Sequence, residues 1–71
     1  MKKIKTYYRR LRINALQAKT KKTLLYILKL GKKFNDSIQE SGLYDSKSKQ
    51  FSILNYNRLS QDINKLLSKV E

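Results

Sequence analysis

Apolar residues in the middle of the chain recur with helical spacing. Separations of three and four place them on one side of a helix: Leu24, Ile27, Gly31, Phe34 and Ile38. Residues 4–41 contain no Pro and only one Gly, so nothing in the sequence forces a break. The pattern predicts a single long helix over residues 4–41, about 55 Å long at about 1.5 Å per residue.

The buried stripe becomes polar toward the N-terminus. Continued backwards it passes through Thr20, Gln17, Ile13 and Arg10. We therefore expect residues 1–22 to project as an arm and residues 23–71 to form the core. A second, smaller stripe lies on the opposite side of the same helix: Tyr7, Leu11, Ala15 and Ala18. It fits either a surface that packs on RNA or a protein neighbour, or scattered surface residues that need no explanation.

A second helix is predicted over residues 51–70, where apolar residues again follow at threes and fours: Tyr56, Leu59, Ile63, Leu66 and Val70. Asp45, Ser46 and Ser48 are candidates to cap its start. Gly42 suits a left-handed helix end, with Leu43 folding back onto Ile38. The predicted fold is all-α, with the shorter C-terminal helix packed antiparallel on the second half of the long helix, as a helical hairpin or small bundle.

Charge is distributed very unevenly along the chain. The 71 residues carry 17 Lys and Arg against 5 Asp and Glu, a net charge of +12. Twelve of these basic residues precede Asp36, the first acid, whereas residues 36–71 hold five basic and five acidic residues. A helix face that is only solvated usually mixes charge signs to gain pairing at i, i+4. The acid-free half therefore favours a polyanionic partner over a solvated lysine face.

Composition argues against catalysis and metal binding. The chain has no Cys and no His, so it can form no disulfide and no Cys or His metal site. No two acids have a spacing that suggests a shared catalytic site, and Gly31 and Gly42 form no phosphate-binding loop. We expect no enzymatic activity, no cofactor and no small-molecule substrate. No segment is apolar for long enough to cross a membrane.

Three classes of partner fit the basic helix. Lys and Arg neutralise phosphates while aromatic rings such as Tyr7 and Tyr8 stack on unpaired bases, which suits RNA. The same charge fits a small phage or plasmid DNA-binding regulator, although a helix-turn-helix reader needs a tight turn between two short helices. The opposed apolar and lysine faces over residues 24–38 are also compatible with a membrane surface. Of these partners we expect RNA and not a membrane.

Both predicted helices contain short motifs. In the first helix they are Lys3-Ile4-Lys5-Thr6, Arg9, Asn14 and Lys22-Thr23-Leu24, and in the second Ser52-Ile53, Tyr56, Arg58, Leu59, Ile63 and Lys65. These motifs and their spacing resemble the bacterial-type small-ribosomal-subunit protein S-twenty family. The resemblance implies a bundle built on one very long helix that binds ribosomal RNA during subunit assembly. It also implies a basic tail after the second helix, which this sequence does not contain.

Together, the resemblance and the charge predict a structural constituent of the small ribosomal subunit. The resemblance places Lys3, Lys5, Arg9, Asn14, Lys22 and Thr23 near RNA. The charge distribution adds Lys2, Arg10, Arg12, Lys19, Lys21, Lys29 and Lys33. The expected partners are ribosomal RNA and neighbouring ribosomal proteins. The expected location is a ribosome, in a plastid, a mitochondrion or the bacterial cytoplasm.

Overall fold

The computed structural model describes residues 2–70, which form three α-helices and no strand. Helix α1 spans Lys2–Gln17, α2 spans Lys21–Glu40 and α3 spans Ser46–Leu67. The predicted single domain was 1–71, and its end residues Met1 and Glu71 lie outside the described residues. The all-α prediction is confirmed.

The prediction of one helix over residues 4–41 is wrong, because residues 18–20 separate α1 from α2. Thr20 has an extended backbone with φ −131° and ψ 154°, and its hydroxyl oxygen accepts a hydrogen bond from the Thr23 backbone N–H at 3.2 Å. This is N-cap geometry, in which the threonine side chain satisfies a backbone donor that has no helical partner. Neither Pro nor Gly is involved in the break.

The two apolar stripes explain why the chain breaks there. At about 100° per residue, the buried residues of α1 and those of α2 would lie roughly 160° apart on a continuous helix. No single partner helix can cover both sides of such a rod. A turn at residues 18–20 lets both stripes face the same core.

The helices run up, down and up. The ring of Tyr8 in α1 lies 5.5 Å from that of Phe34 in α2, centroid to centroid, so the start of α1 lies beside the end of α2. The Gln39 amide donates to the Lys49 carbonyl oxygen at 2.9 Å, which joins the end of α2 to the start of α3. Helices α1 and α2 are therefore antiparallel, as are α2 and α3.

Helix α1 belongs to the core and does not project as an arm. Its buried side chains are Ile4, Tyr8, Leu11 and Ala15, which are four of the nine buried hydrophobic residues of the described chain. The others are Leu24, Ile27, Ile38, Leu59 and Ile63. The second stripe of the sequence is thus mainly a packing face. The prediction of an arm over 1–22 and a core over 23–71 is wrong, because α1 contributes to the same core as α2 and α3.

The stripes predicted for the other two helices do face the core. In α2, Leu24, Ile27, Gly31 and Ile38 are buried and Phe34 is half-buried. In α3, Leu59 and Ile63 are fully buried, and Tyr56 and Leu66 pack against the core at its edge. Val70 also packs there, although α3 ends at Leu67, three residues before the predicted end. Helix α3 begins five residues earlier than the predicted start near Phe51, at Ser46.

Gly31 lies where all three helices come into close contact. A Cβ atom placed on Gly31 would lie 2.7 Å from Leu59 Cδ2, 3.5 Å from Tyr56 Cδ1 and 3.6 Å from Leu11 Cδ1. The first distance is shorter than van der Waals contact allows. The absence of a side chain at Gly31 lets α1 and α3 pack against α2 at the same level.

The turn between α2 and α3 differs from the predicted one. Neither glycine has a positive φ, and Leu43 is 92% exposed, so the expected left-handed cap with a Leu43–Ile38 contact is wrong. Instead the Ser41 N–H donates to the carbonyl oxygens of Ser37 and Ile38. Of the candidate caps for α3, Asp45 is the one used: its Oδ1 accepts from the Ser48 N–H at 2.8 Å. This hydrogen bond lowers the pKa of the Asp45 carboxyl.

Candidate nucleic-acid interface

The predicted RNA-binding residues remain at the surface of the bundle. Twelve of the thirteen are exposed, and Arg12 is half-buried. Because α1 folds back along α2, their charges are held on two antiparallel helices and the turn between them, in a body 41 Å long. The predicted rod would have been about 55 Å long. Folding therefore raises the density of positive charge above what the sequence alone indicated.

One group of these residues forms the outer face of α2. Lys22, Lys29 and Lys33 are exposed and lie on the side of α2 opposite its buried residues. Asp36, one turn beyond Lys33, ends the basic stretch of this face. We refer to residues 22–33 on this side of the helix as the α2 lysine face.

Tyr26 belongs to the α2 lysine face, and the sequence analysis missed it. Its side chain is 61% exposed, and it follows Lys22 by four residues and precedes Lys29 by three. Residues with that spacing are neighbours on a helix surface. An exposed aromatic ring among lysines can stack on a base while the lysines contact phosphates. The spacing of Lys22, Tyr26 and Lys29 was the signal available in the sequence.

Tyr8, which the sequence analysis proposed for base stacking, is unsuitable because it is completely buried. Its hydroxyl lies 2.9 Å from Ser52 Oγ, which donates in turn to Asn35 Oδ1 at 2.7 Å. The Gln39 amide also donates to Asn35 Oδ1, at 3.2 Å. This network joins all three helices. Burial raises the pKa of Tyr8.

Tyr7 is available only in part. Its ring packs on Phe34 with 4.0 Å between centroids and 30° between planes. The half-buried ring lines a shallow depression at the start of α1, together with Lys2, Lys3, Thr6 and Arg10. This depression brings three of the predicted cations together beside an aromatic edge.

Other predicted residues lie away from the α2 lysine face. Lys5 and Arg12 line the groove between α1 and α3, where they meet Arg58 of α3, a cation that was not among the predicted site residues. Arg9 lines the next part of the same groove. The Thr23 hydroxyl lies 2.9 Å from that of Thr20, so Thr23 also takes part in the helix cap. Asn14, Lys19 and Lys21 are exposed outside these clusters.

The described residues contain no group of three acidic, histidine or cysteine side chains that could hold a metal ion. Within residues 2–70, no helix combines the length and the apolar character needed to cross a membrane. The described surface does offer cations, amides and partly exposed apolar side chains.

Comparisons with protein-family models, with curated proteins and with solved structures found no match to this chain.

Proposed function

We propose that this protein is a structural RNA-binding constituent of a small ribosomal subunit, related to the S-twenty family and without catalytic activity. The observation that carries the proposal is the block of twelve basic residues before the first acid, placed on α1, α2 and the turn between them. The basic residues contribute nothing to the small hydrophobic core. Their mutual repulsion destabilises the compact state. A polyanionic partner removes that cost and gains affinity from counterion release.

Folded RNA accounts for the distribution of the cations better than a single DNA groove does. Basic side chains lie on the α2 lysine face, at the start of α1 and in the α1–α3 groove, so they point in several directions from one bundle. A folded RNA can surround a small protein with several phosphate backbones. Helix α1 packs on the core, so RNA would contact its exposed side and not a projecting arm.

The small DNA-binding regulator is the second candidate, and the three-residue break before α2 is the feature that favours it. A DNA-binding helix-turn-helix joins two helices at about 90–120°. Here α1 and α2 pack antiparallel against each other, as the Tyr8–Phe34 and Leu11–Gly31 pairs indicate. That geometry presents no free recognition helix of the usual kind, so RNA remains the preferred partner.

The test distinguishes the two candidates by where the protein is found in the cell and by which nucleic acid it binds. The tagged protein, expressed in its native cells, is expected to sediment with small ribosomal subunits through a sucrose gradient in high salt. Crosslinking in the native extract is expected to attach it to ribosomal RNA. Recovery only in the soluble fraction would contradict the ribosomal proposal, and tighter binding to duplex DNA than to structured RNA would favour the regulator.

A further inference from the structure

The groove between α1 and α3 is a second basic surface. Two adjoining depressions that share Arg12 run along it, and both helices contribute to the walls. In a bundle whose three helices all contact one another, the groove between two helices opens away from the third. The α1–α3 groove therefore opens away from α2, and the α2 lysine face lies on the other side of the bundle.

The charge of the groove fits a polyanion. Helix α1 contributes Lys5, Arg9 and Arg12, α3 contributes Arg58, and the one acid along the lining is Asp62. Lys5, Arg9 and Arg58 are exposed. Cations on both walls can contact the backbone of a strand that lies between them.

The other residues that line the groove suit an unpaired strand better than a duplex. Leu54 is 66% exposed and lies beside the half-buried ring of Phe51, while the Asn57 and Gln61 amides are exposed on the α3 wall. A duplex keeps its base faces stacked inside and offers mainly phosphates and sugars to a protein. Unpaired RNA offers base faces to apolar side chains and base edges to amides.

We propose that the α1–α3 groove binds an unpaired RNA segment, with Lys5, Arg12 and Arg58 at the phosphates and Asn57 and Gln61 at the base edges. The inference rests on the proposed function, because it requires that RNA is the partner. It adds a site on α3, a helix to which the sequence analysis assigned no RNA contact.

Two variants of the full chain test the groove by fluorescence anisotropy, with a short unstructured RNA oligonucleotide and a blunt RNA duplex as probes. Lys5→Gln/Arg58→Gln removes one cation from each wall. It is expected to weaken oligonucleotide binding at least about tenfold and to reduce the slope of log K against log salt by about 1.4, at about 0.7 per phosphate contact. Asn57→Ala/Gln61→Ala removes no charge, so about tenfold weaker binding with an unchanged salt slope is expected.

The controls address charge and folding. Lys47→Gln/Lys69→Gln removes two exposed cations that do not line the groove, and its oligonucleotide affinity is expected to stay within about twofold of the wild type. All the substituted positions are exposed, and circular dichroism is expected to give the same helical spectrum for every variant. Duplex affinity is expected to be unchanged for Asn57→Ala/Gln61→Ala.

Failure of the groove inference and failure of the proposed function give different results. If both groove variants bind the oligonucleotide like the wild type while the wild type binds structured RNA, the groove inference is overturned and the proposed function stands. If the wild type binds no RNA, both are overturned. A labelled acidic peptide is the third probe. If the groove variants lose affinity for the peptide and keep their affinity for RNA, the occupant is a protein and the inference is overturned.

Discussion

The hydroxyl of Tyr8 in α1 and Oγ of Ser52 in α3 lie 2.9 Å apart, and both residues are completely buried. Since Ser52 donates to Asn35 of α2, the Tyr8 hydroxyl donates to Ser52. This pair fixes α1 against the other two helices. It is therefore the most direct place to test whether α1 is part of the bundle.

Ser52→Ala is expected to destabilise the fold by about 1–3 kcal/mol, because it leaves the buried Tyr8 hydroxyl without its acceptor. Tyr8→Phe, which leaves Ser52 bonded to Asn35, should cost less, about 0.5–1.5 kcal/mol. The double variant should cost less than the sum of the two. Urea unfolding followed by circular dichroism measures all three, with Tyr26→Phe at an exposed position as the neutral control. Additive costs, or no cost for Tyr8→Phe, would mean that α1 does not pack as described.

The raised pKa of Tyr8 predicts a loss of stability at alkaline pH. The folded state holds the phenolic proton more tightly than the unfolded state, whose tyrosine titrates near 10.0. The contribution is therefore fully present below pH 10 and decreases as the pH rises from there through the pKa of the folded state. Tyr8→Phe cannot titrate and serves as the control, because both proteins share the alkaline titration of the lysines. Equal losses of stability above pH 10 for the two proteins would count against this prediction.

Gly31→Val is expected to destabilise the bundle by about 1–3 kcal/mol or more, since the new side chain overlaps Leu59 where three helices meet. The matched control is Gly42→Val. A Cβ atom at Gly42 meets no other atom within 4 Å, and its φ is not positive, so little change is expected. Thermal melts of the two variants make the comparison. Equal melting temperatures would show that Gly31 is not at a close helix contact.

Tyr26→Ala is expected to weaken RNA binding by about 1–3 kcal/mol if the ring stacks on a base, while the salt slope of binding stays unchanged. Tyr26→Phe keeps the ring and should bind like the wild type. Lys22→Gln/Lys29→Gln/Lys33→Gln should do the opposite and flatten the salt slope. A salt titration of RNA affinity for each variant is the measurement. Wild-type affinity for both Tyr26→Ala and the triple lysine variant would remove the α2 lysine face from the proposed interface.

The stability of the free protein is expected to rise with salt. Twelve cations on α1, α2 and the short turn between them repel one another, and the screening length falls from about 30 Å at 0.01 M to about 10 Å at 0.1 M salt. We expect partial helicity at low salt and a melting temperature that rises by several degrees with added salt or RNA. The triple lysine variant should be more stable at low salt and less sensitive to salt. A melting temperature that is independent of salt would contradict this account.

The sequence by itself determined the helical class, the inward faces of α2 and α3, the presence of a cap at Asp45, Ser46 or Ser48, and the separation of charge. Each of these follows from nearby residues. The spacing of Leu24, Ile27 and Ile38 defines a face whatever it packs against. An Asp or Ser side chain just before a helix can accept a hydrogen bond from a backbone N–H of its first turn. The charge imbalance is a property of composition and does not depend on the fold. These predictions needed no long-range contact.

Only the tertiary structure decided how α1 is used. Residues 18–20 carry no strong breaking signal, and a continuous helix would satisfy their backbone groups as well as the Thr20 cap does. The choice depends on the core, because folding back buries Ile4, Tyr8 and Leu11, at about 1.5–3 kcal/mol for each large apolar side chain. Helical periodicity shows which residues share a face, but it does not show which other helix packs against that face. For this reason the sequence pointed to the charge of residues 2–33, and the fold determined which of those residues share a surface with α3.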